Sequence, residues 1–296
     1  MATEEQLSGW TGPSSATEQD KQDRTERMIR QAVDEHAAFD TVDLTIFPKG
    51  SYANNTNVRV ESDVDVAVEC CECIYWEEAE QGSHSDYIPY DGPWTPNRLR
   101  SELVSALKSR FPGQVDSSGK VAIEVHSSSA RINADVVPCF TYRRYFSSSN
   151  YWEGTKIFRT EGGSIVNYPK QQLSNGRAKN NRTNYAYKKT VRILKRVQYS
   201  MVGDGTFREL PSYFIECLVY NCPDETFSHN SWTTIVSQAL FHIWDSLKGD
   251  EPSESSSRWV EANECFYLFH NGQDWTRADG RDFAKAAWNY LQLGNA

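Results

Sequence analysis

The sequence predicts an α+β protein in which a mixed sheet half is followed by a helical half. Three observations predict it. Between about residues 44 and 140, short apolar runs alternate with polar residues at period two, as half-buried strands require. Beyond about Tyr168 the apolar residues recur at the three-to-four spacing of amphipathic helices. Finally, 296 residues with 39% hydrophobic and 24% charged content suffice for one large domain or two closely joined ones.

Residues 1–20 are polar, and they are expected to form a flexible arm because too little apolar surface is available to offset ordering entropy. Asp20 to Phe39 places Met28, Ile29, Ala32 and Val33 at helical spacing. DLTIFPKGS is a short apolar run stopped by Pro48 and Gly50, and DVDVAVEC then alternates strictly, which signals a strand. Asp63, Asp65 and Ala67 therefore share one face, with Val64, Val66 and Val68 on the other. Glu77 to Pro96 has no period and reads as an exposed loop. A helix from about Thr95 to Phe111 carries Leu99, Leu103, Val104 and Leu107 on one stripe and stops before Pro112-Gly113. KVAIEVH and ARINADVVPCF are strand candidates, the second with Arg131, Asn133 and Asp135 opposite Ile132, Ala134 and Val136. YAYKKTVRILKRVQYSM, LPSYFIECLVYNC, HNSWTTIVSQALFHIWDSL and DFAKAAWNYLQL are the helix candidates of the second half, and Asp250 to Ser257 is a polar loop. The expected division is an arm at 1–20, a core at 21–167 and a helical lobe at 168–296.

Composition excludes several classes. No stretch approaches 18 consecutive apolar residues, and the N-terminus has neither a basic n-region nor an apolar h-region, so a cytoplasmic protein without a membrane span is expected. Seven cysteines, an odd number, do not suggest a disulfide framework; Cys70, Cys71 and Cys73 lack partners at zinc spacing and read as buried thiols at a strand end. The net charge of 31 − 40 = −9 argues against a broad basic surface for nonspecific nucleic-acid binding. One stretch runs the other way. From Arg143 to Arg196 basic residues face only Glu153 and Glu161, which suits a compact anion.

Asp63 and Asp65 on one strand face set two carboxylates about 7 Å apart along the chain. Like charges that close call for a cation, and hard oxygen ligands suit magnesium or manganese. Asp135 can join them from a neighbouring strand, and three such groups can hold two metals about 3.5 to 4 Å apart. Upstream, Gly50-Ser51 offers close backbone approach, free N–H groups and a hydroxyl to a triphosphate.

GSYANNTNVRVESDVDVAVE followed by ARINADVVP resembles the DNA-polymerase-β-like nucleotidyltransferase superfamily. YKKTVRILKRVQ followed by LPSYFIECLVYN narrows the resemblance to its cGAS/DncV-like and oligoadenylate-synthetase branch, over about Phe47 to Cys222. The resemblance implies a catalytic core joined to a C-terminal helical lobe with a cleft between them. It implies Mg2+ as cofactor, two ions held by Asp63, Asp65 and Asp135, with Mn2+ as a substitute. By the same resemblance Lys195 contacts donor phosphates, Ser212 supplies a phosphate-binding hydroxyl and Tyr213 stacks on a base.

SIVNYPKQQLSNGRAKNNRTN resembles the bacterial clade E of this branch, which makes Asn167 a candidate base reader beside the plainer role of a turn asparagine before Tyr168-Pro169. An amide has both a donor and an acceptor for a pyrimidine edge, hence UTP among the substrates ATP, UTP and GTP. The implied product is a cyclic dinucleotide or short cyclic oligonucleotide that activates a separate effector protein in antiphage signalling. The zinc-bearing DNA-binding insertion of the animal relative is absent from the sequence, so DNA activation is not expected; a monomer is. The alternatives are a transferase acting on RNA or protein, the former disfavoured by the acidic charge, and a non-catalytic nucleotide sensor.

Overall fold

The computed structural model describes residues 3–13, 15–58, 63–82 and 90–294. In chain order the elements are α1 (Glu4–Gly9), α2 (Ala16–Asp34), β1 (Leu44–Lys49), α3 (Gly50–Ala53), β2 (Val64–Glu78), α4 (Pro96–Arg110), β3 (Val115–Asp116) and β4 (Ile123–Val125). They continue with β5 (Ala134–Ser147), β6 (Asn150–Phe158), β7 (Ser164–Asn167), α5 (Pro169–Arg182), α6 (Ala186–Gly203), α7 (Ser212–Tyr220), α8 (Trp232–Ser246) and α9 (Arg277–Leu291). Contacts divide the chain into a sheet unit, Ser14–Ala53 with Arg59–Pro169, and a helical unit, Met1–Pro13 with Asn54–Val58 and Lys170–Ala296.

In the sheet unit the strand order is β1-β2-β5-β4-β3, with β6 added on β5 and β7 on β6. β2 and β5 run parallel; the other pairs are antiparallel. Strict alternation decides what each face does. Val64, Val66 and Val68 are fully buried with Ala134, Val136 and Phe140, in one cluster with Ile29 and Val33 of α2 and Leu99, Leu103 and Leu107 of α4. The opposite face carries a smaller cluster of Ala67, Val137, Cys139 and Ile157. Here the expected helix stripes and strand faces agree with the structure.

Several details differ from expectation. The N-terminal arm is not loose: α1 is capped by the Thr3 hydroxyl, and its Leu7 is buried in the core of the helical unit. Glu4 accepts hydrogen bonds from the N–H groups of Trp232 and Thr233, the favourable place for an anion at the start of α8. A single well-placed leucine and charged contacts thus order a polar segment. α2 starts at Ala16, where Ser15 and Glu18 form a capping box. Cys70, Cys71 and Cys73 lie inside β2 rather than at its end, at a register shift between Cys70 and Ile74. All seven cysteines are free, and burial pushes the Cys70 thiol up to about 11, so it stays protonated.

β6 and β7 carried no strand expectation. At Gly154 in β6 a Cβ would lie 2.5 Å from the Asn167 carbonyl oxygen and 2.7 Å from the Tyr168 ring, so its absence is what lets the turn into Tyr168 pack. α5 was also missed, because Ser174, Asn175, Gly176, Asn180 and Asn181 are weak helix formers. Gly176 has a packing reason: a Cβ would come within 2.8 Å of Asn54 Oδ1 in the same unit. Part of the expected loop at 77–96, residues 83–89, lies outside the described residues; β2 occupies its start to Glu78. Among the described residues no helix is long and apolar enough to cross a membrane.

Candidate active site

The pairing registers set one row of charged residues across five strands of the sheet unit. Lys49 opposes Asp65, Asp65 opposes Asp135, Asp135 opposes Glu124, and Glu124 opposes Asp116. Residues paired in register point to the same face, and neighbouring strands lie about 4.8 Å apart. Two of the three aspartates singled out from the sequence, Asp65 and Asp135, are therefore nearest neighbours. Asp63 is exposed in the segment just before β2, and Val64 begins the strand.

Electrostatics follow from that row. The Asp135 carboxyl is pushed up to about 6, first by burial and then by the negative charges of Asp65, Asp63 and Glu124, with Lys49 pulling the other way. Lys49 Nζ stands 3.5 Å from Asp65 Oδ1. Among the described residues no three His, Cys, Asp or Glu side chains already converge into a metal cage. The donor chemistry nevertheless fits a divalent hard cation: two in-register carboxylates and a third beside them repel one another, and a bound cation would relieve that repulsion.

Gly50 opens α3 directly after β1 with φ of +70°, a conformation that favours glycine. A Cβ at this position would sit 2.2 Å from Asp65 Oδ2, so the Gly-Ser turn lies against the acid row because residue 50 has no side chain. Ser51 follows it, half-buried, in the first turn of α3.

Asn167 ends β7. Its register partner is Thr155, whose own partner on β5 is Thr141. Alternation along β5 places Asp135, Val137, Cys139 and Thr141 on one face, so Asn167 stands on the same sheet face as the acids. The separation along β5 is six residues, about 20 Å. The Asn167 Oδ1 accepts a hydrogen bond from the buried Thr155 hydroxyl.

The helical unit holds the other expected residues, and Lys195 is placed differently from expectation. It is 2% exposed, and its ammonium is spent on Glu216 Oε2 at 3.4 Å and on the Thr56 carbonyl and hydroxyl oxygens at 3.2 Å each. Glu216, also buried, further accepts from Asn54 at 2.8 Å, Thr56 at 2.7 Å and Gln172 at 2.9 Å. In this structure the Lys195 ammonium is thus held by a buried ion pair within the helical unit. Arg192 is likewise buried, donating to the carbonyls of Thr11 and Asn55. Lys188, two turns before Lys195, is 8% exposed, and its ammonium donates no hydrogen bond among the described residues. Burial, with Arg177 and Arg192 adding to it against Glu216, lowers its pKa to about 8.

Ser212 is the first residue of α7, its hydroxyl 2.9 Å from that of Tyr199. The Tyr213 hydroxyl donates to Glu261 at 3.2 Å and lies 3.3 Å from Asn263 Nδ2, so the phenol end is tied back into its own unit.

Sequence reasoning missed Glu124, Lys49, Thr155, Glu216 and Glu261. Two of these had a signal. Glu124 is the polar position of the alternating IEV triplet, and Glu216 is a lone acid inside the apolar run FIECLVY, which calls for a buried partner.

Residues 174–292 match the family described as the cGAS/DncV-like nucleotidyltransferase C-terminal helical domain. A cyclic dipyrimidine nucleotide synthase CdnE of Legionella pneumophila is 36% identical over 289 residues, 96% of either chain. The solved structure of the Elizabethkingia meningoseptica CdnE cyclic dinucleotide synthase with GTP and Apcpp superposes with a TM-score of 0.81 at 34% identity, covering 98% of this chain and 99% of that one. The Rhodothermus marinus CdnE c-UMP-AMP synthase with Apcpp and Upnpp superposes with a TM-score of 0.86 at 27% identity, covering 100% of this chain and 98% of that one.

Proposed function

The chain belongs to the CdnE group of cGAS/DncV-like nucleotidyltransferases, enzymes that condense nucleoside triphosphates into cyclic oligonucleotides, and from that premise we propose how its residues divide the work. One observation carries the assignment: the in-register pair Asp65–Asp135 with the glycine of a Gly-Ser turn packed against Asp65. Asp63, Asp65 and Asp135 would hold two Mg2+ ions, or Mn2+ in their place. Bound there, the ions would supply Lewis-acid stabilisation of the attacking hydroxyl and of the leaving pyrophosphate.

The remaining roles belong to the protein's own groups. Asp135 takes up the proton of the attacking hydroxyl, a role suited to a carboxylate whose pKa is raised by burial and by its acidic neighbours. Gly50 and Ser51 give backbone N–H groups and a hydroxyl to the triphosphate. Lys188 takes the phosphate contact that the sequence suggested for Lys195, because it alone of the two keeps an unspent ammonium. The Ser212 hydroxyl at the start of α7 adds a donor, and the Tyr213 ring, fixed through its hydroxyl, stacks on a base. Functionally the chain divides into a catalytic core at 21–167 and a nucleotide-binding lobe at 168–296.

Overall likeness does not choose the bases, since identity is similar to a dipyrimidine synthase and to an enzyme solved with GTP and Apcpp. Asn167 chooses instead, and we assign UTP to its site with ATP or GTP as a further substrate. The enzyme works as a cytoplasmic monomer, where the triphosphate pool lies, and its product activates a separate effector in antiphage defence without DNA as activator. The relatives do not favour a transferase acting on RNA or protein. Incubation with Mg2+ and the four triphosphates, omitting each in turn, tests the base assignment: product should vanish without UTP, and Asn167→Ser should lift that requirement. Undiminished product without UTP would refute it.

A further inference from the structure

The Thr155–Asn167 contact carries a consequence for base choice. Thr155 is 3% exposed, and its hydroxyl proton has no acceptor among the described residues other than Asn167. An amide offers an oxygen acceptor on one side and an NH2 donor on the other. Were the amide turned over, the NH2 group would meet the hydroxyl oxygen and leave a buried hydroxyl proton unpaired, which is costly. Oδ1 is therefore turned inward to Thr155. The group left for a ligand is the NH2, a donor only.

A donor matches a ring carbonyl and clashes with a ring amino group. Uracil presents a carbonyl at the position where cytosine carries its amino group, and guanine and adenine differ in the same sense. The backbone keeps this arrangement in place. Thr155 and Asn167 are register partners on β6 and β7, and Gly154 lets the turn after Asn167 press onto β6.

We propose that Thr155 is a positioning residue for specificity: by holding the Asn167 oxygen it turns the amide donor outward, so the site selects an oxo base over an amino base and UTP over CTP. This rests on Asn167 facing a base. Freed of the hydroxyl, the amide can present either edge, and the preference should collapse while binding of the triphosphate moiety is kept.

The test is the ratio of kcat/KM for UTP to that for CTP in the wild type, Thr155→Val, Thr155→Ser and Asn167→Ala. The wild type should favour UTP by tenfold or more, the order expected when a polar partner is left unmatched. Thr155→Val should bring the ratio within about threefold of unity, on the scale of one lost hydrogen bond, and Thr155→Ser should restore it. If Asn167→Ala abolishes the preference but Thr155→Val leaves it intact, the role of Thr155 is overturned while Asn167 remains the base reader. If Asn167→Ala also leaves the preference intact, the base-reader assignment fails and the inference with it. Should Thr155→Val melt early, the Ser variant decides: a ratio lost although the hydroxyl is kept overturns the proposal.

Discussion

Replacing Lys188 by methionine should make the protein more stable and a worse enzyme. The side chain is 8% exposed and its ammonium donates no hydrogen bond among the described residues, with Arg177 and Arg192 adding repulsion. Its pKa in the fold is about 8 against an ordinary 10.5. That displacement corresponds to about 3 kcal/mol at roughly 1.4 kcal/mol per pH unit, and to about 2 kcal/mol after allowing for residual solvent screening. The sign follows from the direction. A base whose folded-state pKa is depressed destabilises the fold wherever it is charged there, below about pH 8, and the penalty disappears as pH rises from 8 to 10.5. The methionine variant should therefore exceed the wild type by about 2 kcal/mol in urea unfolding at pH 7, with the gap closing toward pH 10. A bound phosphate offers the missing counter-charge, so triphosphate affinity should fall about tenfold or more in the variant, the scale of a charged hydrogen bond. In the wild type, affinity should hold below pH 8 and decline above it. A variant that is less stable at pH 7, or that binds triphosphate as well as the wild type, refutes the assignment.

Other substitutions probe other parts. Glu216→Gln should destabilise the protein by about 3 to 5 kcal/mol, because it leaves Lys195 charged and unpaired in the interior; Lys195→Met added to it should recover much of the loss, and denaturation that finds the single variant neutral contradicts the buried pair. Gly50→Ala should cost about 1 to 2 kcal/mol for the left-handed backbone alone. Because its Cβ would also displace the Asp65 carboxylate, pyrophosphate release should drop far more than melting suggests. Tyr213→Phe keeps the ring and should retain KM for triphosphate within a few-fold, whereas Tyr213→Ala, losing a stacking contact of about 1 to 3 kcal/mol, should raise it by tenfold or more; equal KM values for the two would exclude stacking.

How much of this was legible in the sequence depends on how local the physics is. The faces of β2 and β5 follow from period-two alternation, so the common face of Asp65 and Asp135 could be read without coordinates. That the two are register partners could not, since pairing of strands about 70 residues apart depends on tertiary packing. α5 and β6 were hidden by residues whose local preferences are overridden by contacts, Gly176 against Asn54 and Gly154 against Tyr168. Lys188 and Lys195 look alike on a basic helix. Only burial and the position of Glu216 separate a structural ammonium from an unspent one. Thr155 has no sequence signal at all, because its importance arises from the strand register that places it beside Asn167.

The most direct measurement incubates the wild type, Asp65→Asn and Asp135→Asn with Mg2+ and the four ribonucleoside triphosphates, follows pyrophosphate release, and analyses phosphatase-treated products by mass spectrometry. The wild type should release pyrophosphate and yield a phosphatase-resistant cyclic oligonucleotide, while both variants, folded as the wild type is, should yield neither. A cyclic product that persists in either variant, or a wild type whose products are all linear and phosphatase-sensitive, would contradict the assignment of this acid row to cyclic nucleotide synthesis.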